Sequence, residues 1–262
     1  MIRFRFGLRT LDDVQPWGED PPRLSWFILT DGWYCIDADD HELLRYSAPL
    51  AASPFDVHVD YHVVRLWEDL LTVLPAALEP VPADLRRLVA AEPWEGWRPA
   101  LSPGLPPDLR RAAEAAAAWH DEHTLDMGHL RDAPWLRFWR TADGDGNGNG
   151  NGEDTVTLSW QHPPDSDVEF VAPASGRVTV PTDAFIAAVT DFDHVLISAM
   201  DERVTELETG GPPPGVSVDL AQLRREHQDR ASWLQRAFER SRSTDWEAVR
   251  VGARVLLAGG GR

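Results

Sequence analysis

The chain contains no lysine. All 25 of its basic residues are arginine, a mark of a GC-rich genome rather than of a function. It has one cysteine, Cys35, which rules out an intrachain disulfide and, on a sequence reading, a cysteine-based zinc site. No apolar run reaches about 18 residues, so no membrane-spanning helix is expected. Positive charge is scarce: 43 acids leave a formal charge of -18. A general nucleic-acid binder needs a basic surface to displace counterions from phosphate, so that class is excluded. The nucleophile elbow GxSxG, the P-loop and a GxGxxG following a strand are all missing, which leaves nucleophilic and nucleotide chemistry without support. The opening MIRFRFGLRTL alternates Ile2, Phe4, Phe6 and Leu8 with Arg3, Arg5 and Arg9. It reads as a strand rather than a leader, and cytoplasm is the expected compartment.

What is present is a core. Of 262 residues, 43% are hydrophobic, and twelve are tryptophan. The stretch Leu24 to Tyr46 organises the fold. Asp31-Gly32 suits a two-residue type I′ turn between two apolar runs, and Glu42 to Tyr46 can return as a third strand. From Asp60 a helix with one broad apolar face is expected, broken at Pro75 and Pro80. Pro82 or Ala83 opens a short helix, and Pro107 begins an Ala-rich one. Trp135 to Thr141 and Thr155 to Gln161 pair as strands, VEFVA at 168–172 reads as a further strand, Arg177 to Val180 is strand-like, and Thr182 caps a helix to about Glu208. Asp219 to Ser241 and Asp245 to Leu257 read as a helical hairpin. The fold class is α+β: antiparallel meander sheets packed against long amphipathic helices. The α+β unit covers 1–211, with two halves of about 1–100 and 125–210 that echo one another, and 212–262 is the helical hairpin packed on it.

Three clusters invite chemistry. The loop from Asp143 to Asp154 puts Asp143, Asp145 and Asn147 at the first, third and fifth positions of a calcium-loop template, but its flanks are strands and its Gly-Asn alternation fits a solvated hairpin tip better. His120, His123 and His129 are transition-metal candidates, weighed against a polar helix C-terminus where imidazole meets the dipole. Asp56, His58, Asp60 and His62 alternate and would share a face if extended, forming a metal or acid–base cluster. Cys35, among Trp33, Tyr34 and Ile36, reads as a buried inert thiol. Trp94 and Trp97 lie in a Pro/Gly-rich loop, where they either form a recognition surface or cap the core. From Asp12 to Glu42 nine acids face Arg23 alone, whereas from Ala221 onward nine arginines face five acids. One reading of that asymmetry is docking of the tail near the sheet; the PPPG turn at 212–215 could equally be a linker to a separate helical unit.

PWG at 16–18, LTDGWY at 29–34, HELLRYS at 41–47, VVRLWEDLL at 63–71, LRFWR at 136–140, APASGRVTVPTDAF at 172–185 and GGPPPGV at 210–216 resemble an actinobacterial family known only as a domain of unknown function, family 5984. The resemblance implies one continuous unit and brings no activity, cofactor or catalytic residue. The leading expectation is an acidic binding protein, such as an immunity-type inhibitor of a basic protein partner. Asp31, Asp37, Asp39, Asp40, Glu42, Trp94 and Trp97 would form its surface, with no cofactor. The alternatives are a metal-assisted enzyme using a His/Asp cluster and an accessory protein of a biosynthetic gene cluster.

Overall fold

The alternation of Ile2, Phe4 and Phe6 does make a strand. In the computed structural model, β1 (Ile2–Leu8) pairs antiparallel along the whole of β2 (Asp31–Ala38). The structure describes residues 1–48, 53–91, 97, 105–142, 154–240 and 242–259. Trp94, Asp143, Asp145 and Asn147 lie outside the described residues. The other edge of β2 is shared by β3 (His41–Glu42) and, after the one-turn helix α1 (Pro54–Val57), by β4 (Val59–His62).

Asp31-Gly32 is not the turn. Both residues lie in β2, and Gly32 is opposite Leu8 on one side and Tyr61 on the other. Its glycine serves close approach rather than positive φ: a Cβ there would sit 2.3 Å from the Gly7 carbonyl oxygen. The two-residue hairpin loop falls instead at Asp39-Asp40, with Asp39 at φ 51°, a left-handed conformation that Asp tolerates. The apolar run Trp26 to Leu29 ends in a buried 3₁₀ turn, not a strand, and VEFVA at 168–172 makes only an isolated bridge between Phe170 and Tyr46.

Helix α2 (Val63–Leu78) starts three residues later than its pattern indicates, because Asp60 to His62 are taken up by β4. It runs through Pro75, which removes only the donor to the Leu71 carbonyl. Burial of Leu74, Ala76 and Ala77 holds the last turn in place. Next come α3 (Arg86–Val89), α4 (Pro107–Asp121) and the second antiparallel sheet, ordered β5 (Thr124–Leu125), β6 (Trp135–Thr141), β7 (Thr155–Gln161) and β8 (Ser175–Pro181). Helix α5 (Thr182–Gly210) continues directly from β8, with Thr182 inside the helix and its hydroxyl donating to Asp154 at 2.7 Å.

The helices are shared between the sheets. Helix α2 touches β2 and β4 of the first sheet and β5 and β6 of the second, while α5 packs on β1, β7 and β8. One core results, running from Phe4 through Leu70 and Phe138 to Phe192 and Leu196. Strand β6 alternates as a doubly covered strand should: Leu136 and Phe138 enter that core, and Trp139 enters a second, smaller one.

The C-terminal helical region packs its arms on different partners. Asp219 caps α6 (Leu220–Arg230), its Oδ1 accepting from Gln222 N at 2.8 Å, and α6 lies on α5. The chain breaks at Ala231-Ser232, and α7 (Trp233–Glu239) lies on α2. Helix α8 (Trp246–Gly259) packs on α4, joining Val249, Ala253 and Leu256 to Ala113, Ala116 and Trp119. Charge does help to seat the tail, but not against the meander acids. Arg224 pairs with Asp201 and Glu208, Arg230 with Glu68, Arg242 with Glu79 and Glu122, and Arg250 with Asp84.

The α4–α8 contact depends on small residues. A Cβ at Gly252 would come within 2.0 Å of the Ala112 carbonyl oxygen and 2.6 Å of Ala116 Cβ. Gly252→Leu is therefore expected to destabilise the protein by at least about 2 kcal/mol through overpacking, read as a lower denaturation midpoint. A leucine at Ala258, exposed on the same helix, should move it little.

Candidate functional site

The expected acidic surface is largely neutralised from within. The Arg5 guanidinium reaches both Asp37 oxygens, from Nε and Nη2 at 2.7 Å each, and also bonds Glu42. Glu42 further pairs with Arg45 at 2.5 Å, Asp31 with Arg9 at 3.2 Å, and Asp39 with the Met1 ammonium. Burial pushes the Glu42 carboxyl up, but hydrogen bonds from Arg45 and Arg5 outweigh it and hold the group below the usual carboxylate range. Asp40 alone of the five is exposed without an ion pair among the described residues. Trp97 is 5% exposed and meets the His120 ring edge-on, so it packs in the second core.

The three candidate histidines are not gathered round a common point. His120 lies in the last turn of α4 and His123 just past its end, as the helix C-terminus reading expects, but both are fully buried. His123 Nδ1 bonds the Trp119 carbonyl at 2.8 Å, and burial drives its pKa down to about 3. Desolvation also lowers that of His120. The alternating set Asp56, His58, Asp60 and His62 is likewise dispersed. Asp60 pairs with Arg9, and His62 packs against Phe27 and Trp17.

His129 belongs elsewhere. Its turn is shaped by Asp126, whose Oδ1 accepts from Gly128 N at 2.9 Å. That turn lays His129 Nε2 2.7 Å from the hydroxyl of Tyr34, a fully buried residue of β2. On its other side, His129 Nδ1 is 4.0 Å from Asp69 Oδ2. Neither atom has a hydrogen-bond partner among the described residues. Asp69 sits on α2, three residues after Leu66 and four before Val73, so the helix carries it in on an apolar stripe. Arg65, one turn earlier, reaches its other oxygen, at 3.2 Å from Oδ1.

Asp69 lines a cavity of about 710 Å³, within the range typical of ligand sites. Its walls are Arg65, Glu68 and Thr72 of α2, Asp121, Glu122 and Asp126 around β5, and Trp233, Arg240 and Arg242 of the C-terminal segment. Trp233 is fixed by stacking on Trp67 at 5.5 Å and by its Nε1 donating to Asp229 at 2.8 Å. Arg230 lies 4.5 Å over both Trp26 and Trp233 and pairs with Glu68.

Burial pushes the Asp69 carboxyl up to about 7. Arg65 opposes this, and the Asp126 and Glu68 charges reinforce it. Burial and the Arg65 charge push His129 down to about 4. The arrangement can therefore exchange a proton near neutrality at Asp69, beside a neutral imidazole hydrogen-bonded to a phenol. Sequence patterns point to His129 but give it the wrong companions, and they miss Asp69, Tyr34 and Arg65. A carboxylate on the apolar stripe of VVRLWEDLL is the available signal.

These shifts fix how stability depends on pH. The folded state holds a proton on Asp69 that the unfolded chain releases between about pH 4 and 7, so this contribution is lost as pH rises through 7. His129 acts oppositely, its contribution being lost as pH falls from about 6.5 to 4. Comparing Asp69→Asn with the parent isolates the first: relative to the parent, the variant should gain stability from pH 4 to about pH 7 and then level off, with a ceiling of about 4 kcal/mol, and equal stability differences at pH 4 and pH 8 would contradict the assignment. No curated protein and no solved structure matches the chain. A family model does match, over residues 3–252, and the chain belongs to that family, a family of unknown function designated DUF5984.

Proposed function

We propose that this chain is a binding protein whose cleft receives a cationic group, an amine or a guanidine. The observation that carries the reading is the Asp69 carboxylate in the wall of the cleft, whose Oδ2, buried on the His129 side, has no hydrogen-bond partner among the described residues. Buried polar atoms in folded proteins are nearly always hydrogen-bonded, so a carboxylate in a cavity wall that lacks its full set of partners is poised for a donor from outside. Carboxylates outnumber guanidinium groups along the walls, Asp69 being joined by Glu68, Asp121, Glu122 and Asp126 against Arg65, Arg240 and Arg242. The reading keeps a basic partner but moves it to Asp69, because, of the other cleft acids, Glu68 pairs with Arg230, Glu122 with Arg242 and Asp126 with Arg65. A free small amine and a Lys or Arg side chain of a protein offer the same chemistry.

A cation selects ionised Asp69, so binding and proton release are coupled. Affinity for a panel of diamines and guanidines, measured by calorimetry, should rise about tenfold per pH unit up to about 7 and then level off. Asp69→Asn should weaken it at least about tenfold. Saturation by free amines identifies a small ligand. Binding only to a basic protein, with the same dependence on Asp69, identifies a side chain. Preference for anions, or an unchanged affinity in the Asn variant, would overturn the reading.

A further inference from the structure

Away from the cleft, the first sheet brings together a sulfur, a nitrogen and an oxygen donor. Cys35 Sγ, a carboxylate oxygen of Glu42 and a ring nitrogen of His58 all lie within 4.8 Å of one another. They come from three stretches of chain held by backbone pairing: Cys35 in β2, Glu42 in β3 opposite Asp37, and His58 bridged to Arg45 just before β4. We propose that Cys35, Glu42 and His58 form a binding site for a divalent transition metal of the zinc class.

His58 supplies the independent observation. Its side chain is nine-tenths buried, and its Nε2 has no hydrogen-bond partner among the described residues. Its Nδ1 is 3.3 Å from the Pro54 carbonyl, an arrangement in which Nδ1–H donates and the Nε2 lone pair is left pointing into the cluster. Metal-binding imidazoles are commonly oriented in this way by a backbone carbonyl. Trp33, stacked on the ring at 4.7 Å and 22°, fixes its plane. Nε2 lies 3.7 Å from Glu42 Oε1, too long for a hydrogen bond and close to the separation of two ligands on one tetrahedral ion.

The surrounding charges permit a cation. Asp37, Glu42 and a Cys35 thiolate face Arg5 and Arg45, leaving one negative charge uncompensated. Glu42 can ligate while still accepting from both guanidinium groups, because a carboxylate has about four lone-pair sites. A mixed thiolate, imidazole and carboxylate set suits zinc-class ions and not calcium or magnesium. Metal uptake replaces the thiol proton of Cys35, which leaves to solvent. A single cysteine excludes a cysteine-rich site but not this mixed one.

The test uses the full chain, stripped with a chelator and titrated with Zn²⁺ and Co²⁺. The expected result is one equivalent bound per chain, a thiolate-to-cobalt charge-transfer band in the near ultraviolet, and a higher melting temperature with zinc. Cys35→Ala and His58→Gln should each remove the band and weaken zinc at least about a hundredfold, with circular dichroism confirming the fold. Should a variant fail to fold, X-ray absorption of the zinc-loaded parent decides, with sulfur in the first shell at about 2.3 Å expected. No stoichiometric metal, no charge-transfer band, or a zinc shell without sulfur would overturn the proposal.

Discussion

Burial of helix α2 against both sheets is the constraint on which the rest of the structure depends. Its faces are occupied by β2 and β4, by β5 and β6, and by α7, which leaves Arg65, Glu68 and Thr72 as the polar side that lines the cleft. A helix in that position cannot present a charge to bulk water on its inner sides. Asp69 lies there nonetheless, and its burial has three consequences. Its carboxyl is pushed toward neutrality, its cationic neighbour Arg65 comes from its own helix, and its second oxygen is left without a hydrogen-bond partner among the described residues. Trp67, on the same helix, carries the stack with Trp233 that builds one wall of that cavity.

The chain's negative charge is organised rather than simply abundant. Around the first hairpin, Arg5, Arg9, Arg45 and the Met1 ammonium answer the nearby acids. In the C-terminal region, arginines reach back to α2, α5 and the segment after α2, which fastens the last helices to the body. Exposed pairs of this kind contribute little each. Arg230 is different, being buried between two indoles and paired with Glu68. Losing either partner would strand a charge in an apolar setting.

Much of the framework is legible because the apolar periodicity is strong. The strands Trp135–Thr141 and Thr155–Gln161 match their pattern residue for residue, and the Pro107 start of α4 agrees with proline at a helix N-terminus. The failures have physical causes. Gly32 suggests a positive φ, whereas its real role is steric: β1 approaches β2 so closely that any Cβ is excluded. Pro75 suggests a stop, but buried side chains on the last turn outweigh one lost hydrogen bond. The acids of the first hairpin have Arg23 alone for company in the local sequence, because Arg5 and Arg9 sit far off along the chain and arrive only through strand pairing. His129 meets Tyr34 and Asp69 across 95 and 60 positions, and no local pattern encodes such a meeting.

The central claim is that Asp69 is a carboxyl of the buried helix held near neutrality and open to a visitor. Carboxyl ¹³C NMR of the unliganded protein, with Asp69 assigned through the Asn variant, tests it without any ligand. The account predicts an inflection at about pH 7 for this resonance. An inflection near pH 4, the ordinary value for an aspartate, would contradict it.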